Sequence, residues 1–139
     1  MVADDASTDR TGEIARTFAD RGTRVVRAEN RQISKTRNTG AKASVGEVLI
    51  FVDADTSIDA EIVRAAMGVI EKGGIGGGAG VRLDGKVPFW ATVMLELTVF
   101  LFRVARYTGG CFLFCTRSAL EKAGGWDETL FAGEEVELC

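Results

Sequence analysis

The chain has 139 residues and a mass of 14.9 kDa, a size that allows one hydrophobic core and leaves no room for a second domain. Hydrophobic residues make up 46% and charged residues 27%, which is typical of a folded globular protein and argues against a disordered or fibrous chain. The formal net charge of −3 argues against nucleic acid as a partner. The absence of histidine excludes a histidine-based zinc site and a Ser-His-Asp triad, so any catalysis must use carboxylates.

Apolar spacing and turn residues predict an alternation of strands and helices. In chain order they predict a strand end at 1–3, a helix at 9–20, a strand at 23–27, a helix at 33–44, a strand at 47–53, a helix from 59 to 72, a glycine-rich strand at 75–83, an apolar helix at 88–106, a strand at 111–116 and a helix at 118–123. This order predicts an α/β domain. The near-continuous apolar run at 47–53 is typical of a strand covered on both faces, so we expect a mostly parallel sheet flanked by helices.

The most informative element is the sequence Asp53-Ala54-Asp55, which directly follows the apolar strand. Open α/β folds bind ligands at the carboxyl ends of their strands. If the backbone stays extended, the two carboxylates face the same way and suit Mg²⁺ or Mn²⁺ bridging to phosphate oxygens. Taken alone, such a pair can equally cap the next helix or lie in solvent.

Two further segments bear on the same edge of the sheet. Asp4-Asp5 also follows a strand, and the segment 30–40 between the two acidic sites contains Arg31, Lys35 and Arg37 near a helix start. Carboxylates for a metal and an arginine for a diphosphate form a coherent set. Taken singly, the three cationic side chains fit a solvated helix face.

Two patterns have competing interpretations. Residues 74–79 satisfy a relaxed dinucleotide-binding pattern, but no helix follows, so a glycine-rich strand packed close to substrate is favoured. The apolar run 87–104 contains Glu96 at its centre, which disfavours a membrane-spanning helix. We predict burial of this helix in the core, with a membrane-surface or partner-facing helix as the alternative.

Together, these motifs resemble family 2 glycosyltransferases. The resemblance rests on the acidic turn at 2–11, on Asn38 and Gly40 after Arg37, on the segment 46–55, and on the glycine-containing segments 109–114, 124–128 and 133–139. It covers nearly the whole chain. It implies the GT-A fold, a Rossmann-like nucleotide-diphospho-sugar transferase fold. It further implies that residues 1–74 form the nucleotide-binding part and residues 75–139 the acceptor-side part.

The resemblance also implies roles for individual residues. Asp5, with Asp4 beside it, would contact the nucleotide base, and Arg37 would approach the base or the diphosphate. Asp53 would lie near the ribose or the sugar, and Asp55 would hold the divalent cation, Mg²⁺ or Mn²⁺, that bridges the diphosphate.

The family's catalytic base is commonly the Asp of a Glu-Asp pair, and the matching pair here is Glu134-Glu135. Glu135 would accept the proton of the acceptor hydroxyl during in-line attack, which inverts the anomeric carbon. Spacing alone also fits carboxylates that are favourable at a helix start.

The sequence therefore predicts a metal-assisted glycosyltransferase that uses a nucleoside diphosphate sugar and an acceptor hydroxyl, located in the cytoplasm or at the cytoplasmic membrane surface. The alternatives are a non-catalytic nucleotide-sugar-binding fragment and a nucleotidyltransferase. The family pattern places a strand and a helix before Val2, so we expect a catalytic domain truncated at both ends.

Overall fold

A computed structural model describes residues 1–80, 85, 87–105 and 111–129, without the side chains of residues 102, 103 and 105. The strands are β1 (Val2–Asp5), β2 (Val25–Ala28), β3 (Val48–Val52), β4 (Gly76–Gly78) and β5 (Phe112–Thr116). The helices are α1 (Thr11–Arg16), α2 (Ile33–Ala43), α3 (Ala60–Glu71), α4 (Phe89–Ala105) and α5 (Arg117–Lys122), with a 3₁₀ turn at Ala19–Arg21. The predicted α/β class is confirmed.

The described strands form two sheets. Strands β1 and β2 pair in parallel, from Val2 opposite Val25 to Asp5 opposite Ala28. Strand β5 lies between β3 and β4 and is antiparallel to both. Strands β3 and β4 therefore point the same way, and β5 is the exception to the parallel arrangement predicted from the apolar runs.

Strand β5 separates two apolar clusters because successive side chains of a strand point to opposite faces. Leu113 and Cys115 face a cluster that contains Leu49, Leu120 and Trp126. Phe112 and Phe114 face the other cluster, which is completed by Ala66 and, in part, by Ile50, Ile62 and Ile70. Burial on both faces explains why the sequence of this strand is apolar at every position up to Thr116.

The glycine-rich strand β4 packs closely against β5. A Cβ on Gly76 would lie 2.7 Å from the carbonyl oxygen of Phe114, and one on Gly77 would lie 3.1 Å from the Phe114 ring. Of the strand predicted at 75–83, Gly76–Gly78 form a strand, and residues 81–83 lie outside the described residues. The described neighbour that requires these glycines is β5, whereas the sequence pattern had suggested the substrate.

The first predicted helix is shorter than expected. It ends at Arg16, and the apolar side chains of Ile14 and Phe18 are 53% and 41% exposed. The residue of α1 that is buried is Gly12, where a Cβ would lie 2.6 Å from a carboxylate oxygen of Asp4. Helix α1 therefore approaches β1 through its glycine, and its larger apolar residues point elsewhere.

Helix α4 overturns the prediction of core burial. Its large apolar side chains remain in solvent, with Phe89, Trp90 and Val104 exposed by 84%, 69% and 67%. None of the helices within the described ranges is both long enough and apolar enough to span a bilayer.

The carboxyl end of α2 is held by an arginine from a distant part of the chain. The Arg117 guanidinium donates to the carbonyl oxygens of Ala41, Ser44 and Gly46 at 3.2, 3.1 and 2.8 Å. Ser44 follows the helix in an extended conformation, so no glycine closes this end. Arg117 provides the partners that the last carbonyl groups of a helix lack.

Candidate active site

The end of β1 is tied to the start of α2 through Asp5. Its carboxylate accepts hydrogen bonds from the backbone N–H groups of Asn30 and Gln32 at 2.6 and 3.2 Å, and from the Thr36 hydroxyl at 2.8 Å. Arg31, between the two backbone donors, has a positive φ of 49°. The carboxylate therefore lies at the amino end of α2, where the helix dipole favours a negative charge.

These hydrogen bonds determine the ionisation of Asp5. Desolvation by burial raises the pKa of this carboxyl, but the hydrogen bonds from Thr36 and from the backbone of Arg31, Asn30 and Gln32 outweigh it. The pKa of Asp5 therefore lies below its ordinary value, and the group is an anion at neutral pH.

Asp4 points to the opposite side of β1. Its side chain accepts a hydrogen bond from the backbone N–H of Ser7 at 3.1 Å and lies 3.5 Å from the Arg27 guanidinium, and the residue is only 3% exposed. The hydrogen bonding by Ser7 lowers the pKa of Asp4 despite desolvation. The structure thus separates the two adjacent carboxylates, because neighbouring residues of a strand face opposite ways.

Asp53 and Asp55 lie on a turn directly after β3. The backbone N–H of Thr56 donates to the carbonyl of Asp53 at 3.0 Å, so the backbone turns here. The extended backbone on which the prediction of two carboxylates facing the same way depended is therefore absent from this turn. The Asp53 N–H donates to the Cys111 carbonyl at 3.0 Å, which ties the turn to the residue preceding β5. The side chain of Asp53 is 37% exposed, and Asp55 is exposed.

Arg37 connects this turn to the core. Its guanidinium lies 3.2 Å from a carboxylate oxygen of Asp53 and 4.7 Å from the centroid of the Trp126 ring. The Arg37 side chain is only 8% exposed. A cation over an aromatic face contributes about 2 kcal/mol when it is desolvated, so this contact is strong for its type.

Asn38, the next residue of α2, fixes the backbone around Trp126. Its side-chain oxygen accepts from the Trp126 N–H at 2.9 Å, and its side-chain nitrogen donates to the Trp126 carbonyl at 3.0 Å and to the Glu128 carboxylate at 2.9 Å. The Gln32 side chain donates to the Glu128 carbonyl at 2.8 Å. Residues 126–128 are thereby attached along α2.

Two cavities meet at α2. One of about 390 Å³ is lined by Asp5 and Arg31 together with Gln32, Ile33 and Thr36. The other, of about 700 Å³, runs between β1 and β3 and reaches Arg37 and Asp53 at one end. Ile33 and Thr36 line both cavities, so the two spaces are neighbours along α2.

The acidic turn suits a divalent cation that is shared with a ligand. Across the described ranges, no three acidic or cysteine side chains form a group able to hold a metal ion by themselves. Mg²⁺ commonly keeps several waters and takes only one or two carboxylates together with substrate phosphates. Asp53 and Asp55 fit that mode of binding.

Asp5, Arg37 and Asp53 line the two cavities beside α2, and Asp55 is exposed on the turn that begins at Asp53. The predicted catalytic pair, Glu134 and Glu135, lies outside the described residues. Sequence reasoning gave no role to Trp126 or Thr36 and none to the side chain of Asn38. The available signal was the motif 124–128, whose glycines flank a buried tryptophan.

The family model for glycosyl transferase family 2 matches residues 1–122. The chain belongs to glycosyltransferase family 2. This membership confirms the resemblance inferred from the motifs.

Two relatives within the glycosyltransferases are similar over 66 residues, or 46% of this chain. Glycosyltransferase GlyA of Streptococcus pneumoniae serotype 4 (strain ATCC BAA-334 / TIGR4) is 37% identical there, and the match covers 10% of its length. The uncharacterized glycosyltransferase EpsJ of Bacillus subtilis strain 168 is 39% identical, with 19% of its length covered. The matched segment is therefore less than a fifth of either relative.

The fold is similar to that of residues 1–349 of TarS from S. aureus. The two structures superpose with a TM-score of 0.66 at 21% identity, over 95% of this chain and 42% of the TarS chain. This likeness, together with the family membership, confirms the GT-A fold.

Proposed function

We propose that the protein transfers a sugar from a nucleoside diphosphate sugar to an acceptor hydroxyl, with a divalent cation and with inversion at the anomeric carbon. One observation carries the proposal. Thr36 and Arg37, neighbours on α2, contact the carboxylates of Asp5 and Asp53 at the ends of two different strands. Acidic strand ends that meet at one helix form the crevice in which open α/β folds bind ligands.

In this proposal the donor lies along the amino-terminal half of α2. The nucleotide base occupies the cavity beside Asp5, whose side chain and backbone partners form one wall. The diphosphate lies at the turn of Asp53 and Asp55. Asp53 and Asp55 would hold the divalent cation, which would supply positive charge to stabilise the diphosphate leaving group. Arg37 contributes to donor binding indirectly, because it forms an ion pair with the carboxylate of Asp53 and holds it in place.

In this proposal the residues that act on the acceptor belong to the segment after residue 128. The acceptor oxygen attacks the anomeric carbon as the bond to the diphosphate oxygen breaks, and Glu135 takes the hydroxyl proton. The segment 126–128 is attached to α2 beside Arg37. Glu135 lies seven positions after Glu128, a stretch that spans at most about 25 Å, so the chain length allows Glu135 to reach this crevice.

Calorimetry with UDP and with GDP tests the donor site. We expect Mn²⁺ to strengthen binding of one of these nucleotides relative to binding in EDTA, and Asp55→Ala to remove the difference. Glu71→Ala is the matched control, because this exposed carboxylate lies at the far end of α3, about 18 Å of helix away. Equal affinity with Mn²⁺ and with EDTA in the unaltered protein would reject the metal role.

Turnover in the full-length protein tests the base. Glu135→Gln keeps the size of the side chain but cannot accept the proton, so the rate should fall by roughly 10²–10⁴-fold while nucleotide binding persists. Glu134→Gln is the control and should retain most of the activity. The opposite outcome would place the base one residue earlier.

A further inference from the structure

Trp126 contacts both the core and the proposed donor site. Its ring meets Phe51 edge-on, with centroids 5.2 Å apart and planes at 86°, on the side of the β3–β5 cluster. The face of the ring carries the Arg37 guanidinium at 4.7 Å. The residue is 2% exposed, so a ligand in the crevice cannot reach it directly.

The position of the ring is fixed by the same helix that carries Arg37. Asn38 holds both the N–H and the carbonyl of Trp126, at 2.9 and 3.0 Å. The adjacent Gly125 has a φ of +89°, and a Cβ there would lie 2.9 Å from the Asn38 side-chain oxygen. Since backbone and ring are both held against α2, the indole face has little freedom to move relative to Arg37.

The plane of a guanidinium determines which acceptors its hydrogen bonds can reach, because its N–H groups form a rigid planar fork. Stacking on an aromatic face fixes that plane. In this protein the fork reaches the Asp53 carboxylate at 3.2 Å. The Asp53 carboxylate is thus linked through Arg37 to a ring that the ligand does not contact.

We propose that Trp126 is a positioning residue for the donor site: its indole face sets the plane of Arg37, which in turn holds the Asp53 carboxylate beside Asp55. The proposal rests on the proposed role of this turn in binding the donor. The competing explanation is that Trp126 only fills the core. The two differ in what they predict for Phe51, which touches the same ring from the core side.

The first test observes Arg37 itself and needs no ligand. The side-chain Nε–Hε resonance of Arg37, assigned by its loss in Arg37→Lys, is followed by NMR in the unaltered protein and in three variants. We expect an ordered guanidinium in the unaltered protein, in Trp126→Phe, which keeps an aromatic face, and in Phe51→Leu. We expect motional averaging in Trp126→Leu. An equally ordered Arg37 in Trp126→Leu would overturn the proposal.

The second test measures affinity for UDP and GDP in the presence of Mn²⁺, by calorimetry on the full-length protein. Trp126→Leu should weaken binding about tenfold, equal to about 1.4 kcal/mol, and Trp126→Phe should restore most of it. Phe51→Leu is the control for a damaged core and should leave affinity near that of the unaltered protein. Equal weakening by Trp126→Leu and Phe51→Leu at similar loss of Tm would show a purely structural role.

The two tests separate the possible failures. If the unaltered protein binds neither nucleotide with Mn²⁺, the proposed function fails, and the resonance of Arg37 still decides whether Trp126 positions it. If nucleotide binding is metal-dependent but insensitive to Trp126→Leu, the function stands and the positioning role is rejected.

Discussion

Helix α2 is polar yet largely buried on one face, whereas helix α4 is apolar yet has most of its described large side chains exposed. The buried residues of α2 are Ser34, Arg37, Asn38 and Ala41, and three of these four carry polar groups. On α4, Phe89 and Trp90 are 84% and 69% exposed. The two helices therefore reverse the relation between hydropathy and burial that a sequence pattern assumes.

The difference lies in the neighbours that each helix has. Arg37 and Asn38 can be buried because Asp53 and the backbone of Trp126 satisfy their charge and hydrogen bonds. For α4 the apolar sequence meets no large apolar surface within the described part of the chain. A polar side chain with a matched partner is thus buried more reliably than an apolar one without a neighbouring surface.

Asn38→Ala provides the strongest test of this comparison. It leaves the buried N–H and carbonyl of Trp126 without the side chain that pairs them, and we expect the free energy of unfolding to fall by about 3 kcal/mol. Asn30→Ala is the control. The Asn30 side chain donates a hydrogen bond to the Thr39 hydroxyl, and its loss should cost about 1 kcal/mol. Equal losses in urea denaturation would contradict the importance assigned to Asn38.

A glycine pair sharpens the test. Gly124 and Gly125 both have positive φ, at 84° and 89°, but only at Gly125 would a Cβ approach Asn38, at 2.9 Å. Gly124→Ala should therefore cost about 1 kcal/mol from backbone strain alone, and Gly125→Ala about 2 kcal/mol. Thermal unfolding of both variants measures the difference. A larger loss in Gly124→Ala would mean that contact with Asn38 does not matter.

The pH dependence of stability tests the polar end of α2. Because the pKa of Asp5 is below its ordinary value of 3.8, its contribution is complete above that value and is lost as the pH falls through the lower folded value. Asp5→Asn should make the free energy of unfolding depend less steeply on pH in this acidic range. Asp4 and Asp9 also have lowered pKa values, so a weaker loss of stability at acidic pH should remain in this variant. An unchanged profile in urea denaturation at pH 2–5 would contradict the hydrogen bonding of Asp5.

Helix α4 should give the smallest effect. Phe100 is 60% exposed, so Phe100→Gln should change the free energy of unfolding by less than about 0.5 kcal/mol. Phe114→Gln makes the same change at a buried position and should strongly destabilise the protein. A loss above about 2 kcal/mol in Phe100→Gln would show that this part of α4 is covered by another part of the protein.

The sequence predicted the strand and helix order and a helix that begins at residue 59. There the Asp59 carboxylate caps α3 by accepting from the N–H groups of Glu61 and Ile62. These features depend on local spacing and capping, which a single sequence contains. The antiparallel direction of β5 could not be predicted, because an apolar run is the same in either direction.

For the candidate site, the sequence predicted which residue types take part better than it predicted their geometry. The sequence predicted that Asp5, Arg37, Asp53 and Asp55 share one crevice. In the structure Arg37 pairs with Asp53, and Asp55 is exposed on the same turn. The sequence did not indicate that Asp4 faces the other side or that Arg37 stacks on Trp126. The latter contact joins residues that are 89 positions apart in the chain, and spacing does not reveal contacts between such distant residues.

The capping of α2 by Arg117 has a consequence for synthesis on the ribosome. The acceptor carbonyls at Gly46 and Ala41 precede this arginine by 71 and 76 residues. At translation rates of roughly 5–20 residues per second, the last turn of α2 waits roughly 4–15 s for Arg117 to be added. During that interval water replaces the guanidinium, and the Ala41 carbonyl has only the local donors of Ser44. The end of the helix that carries Arg37 and Asn38 becomes complete only after β5 has been made.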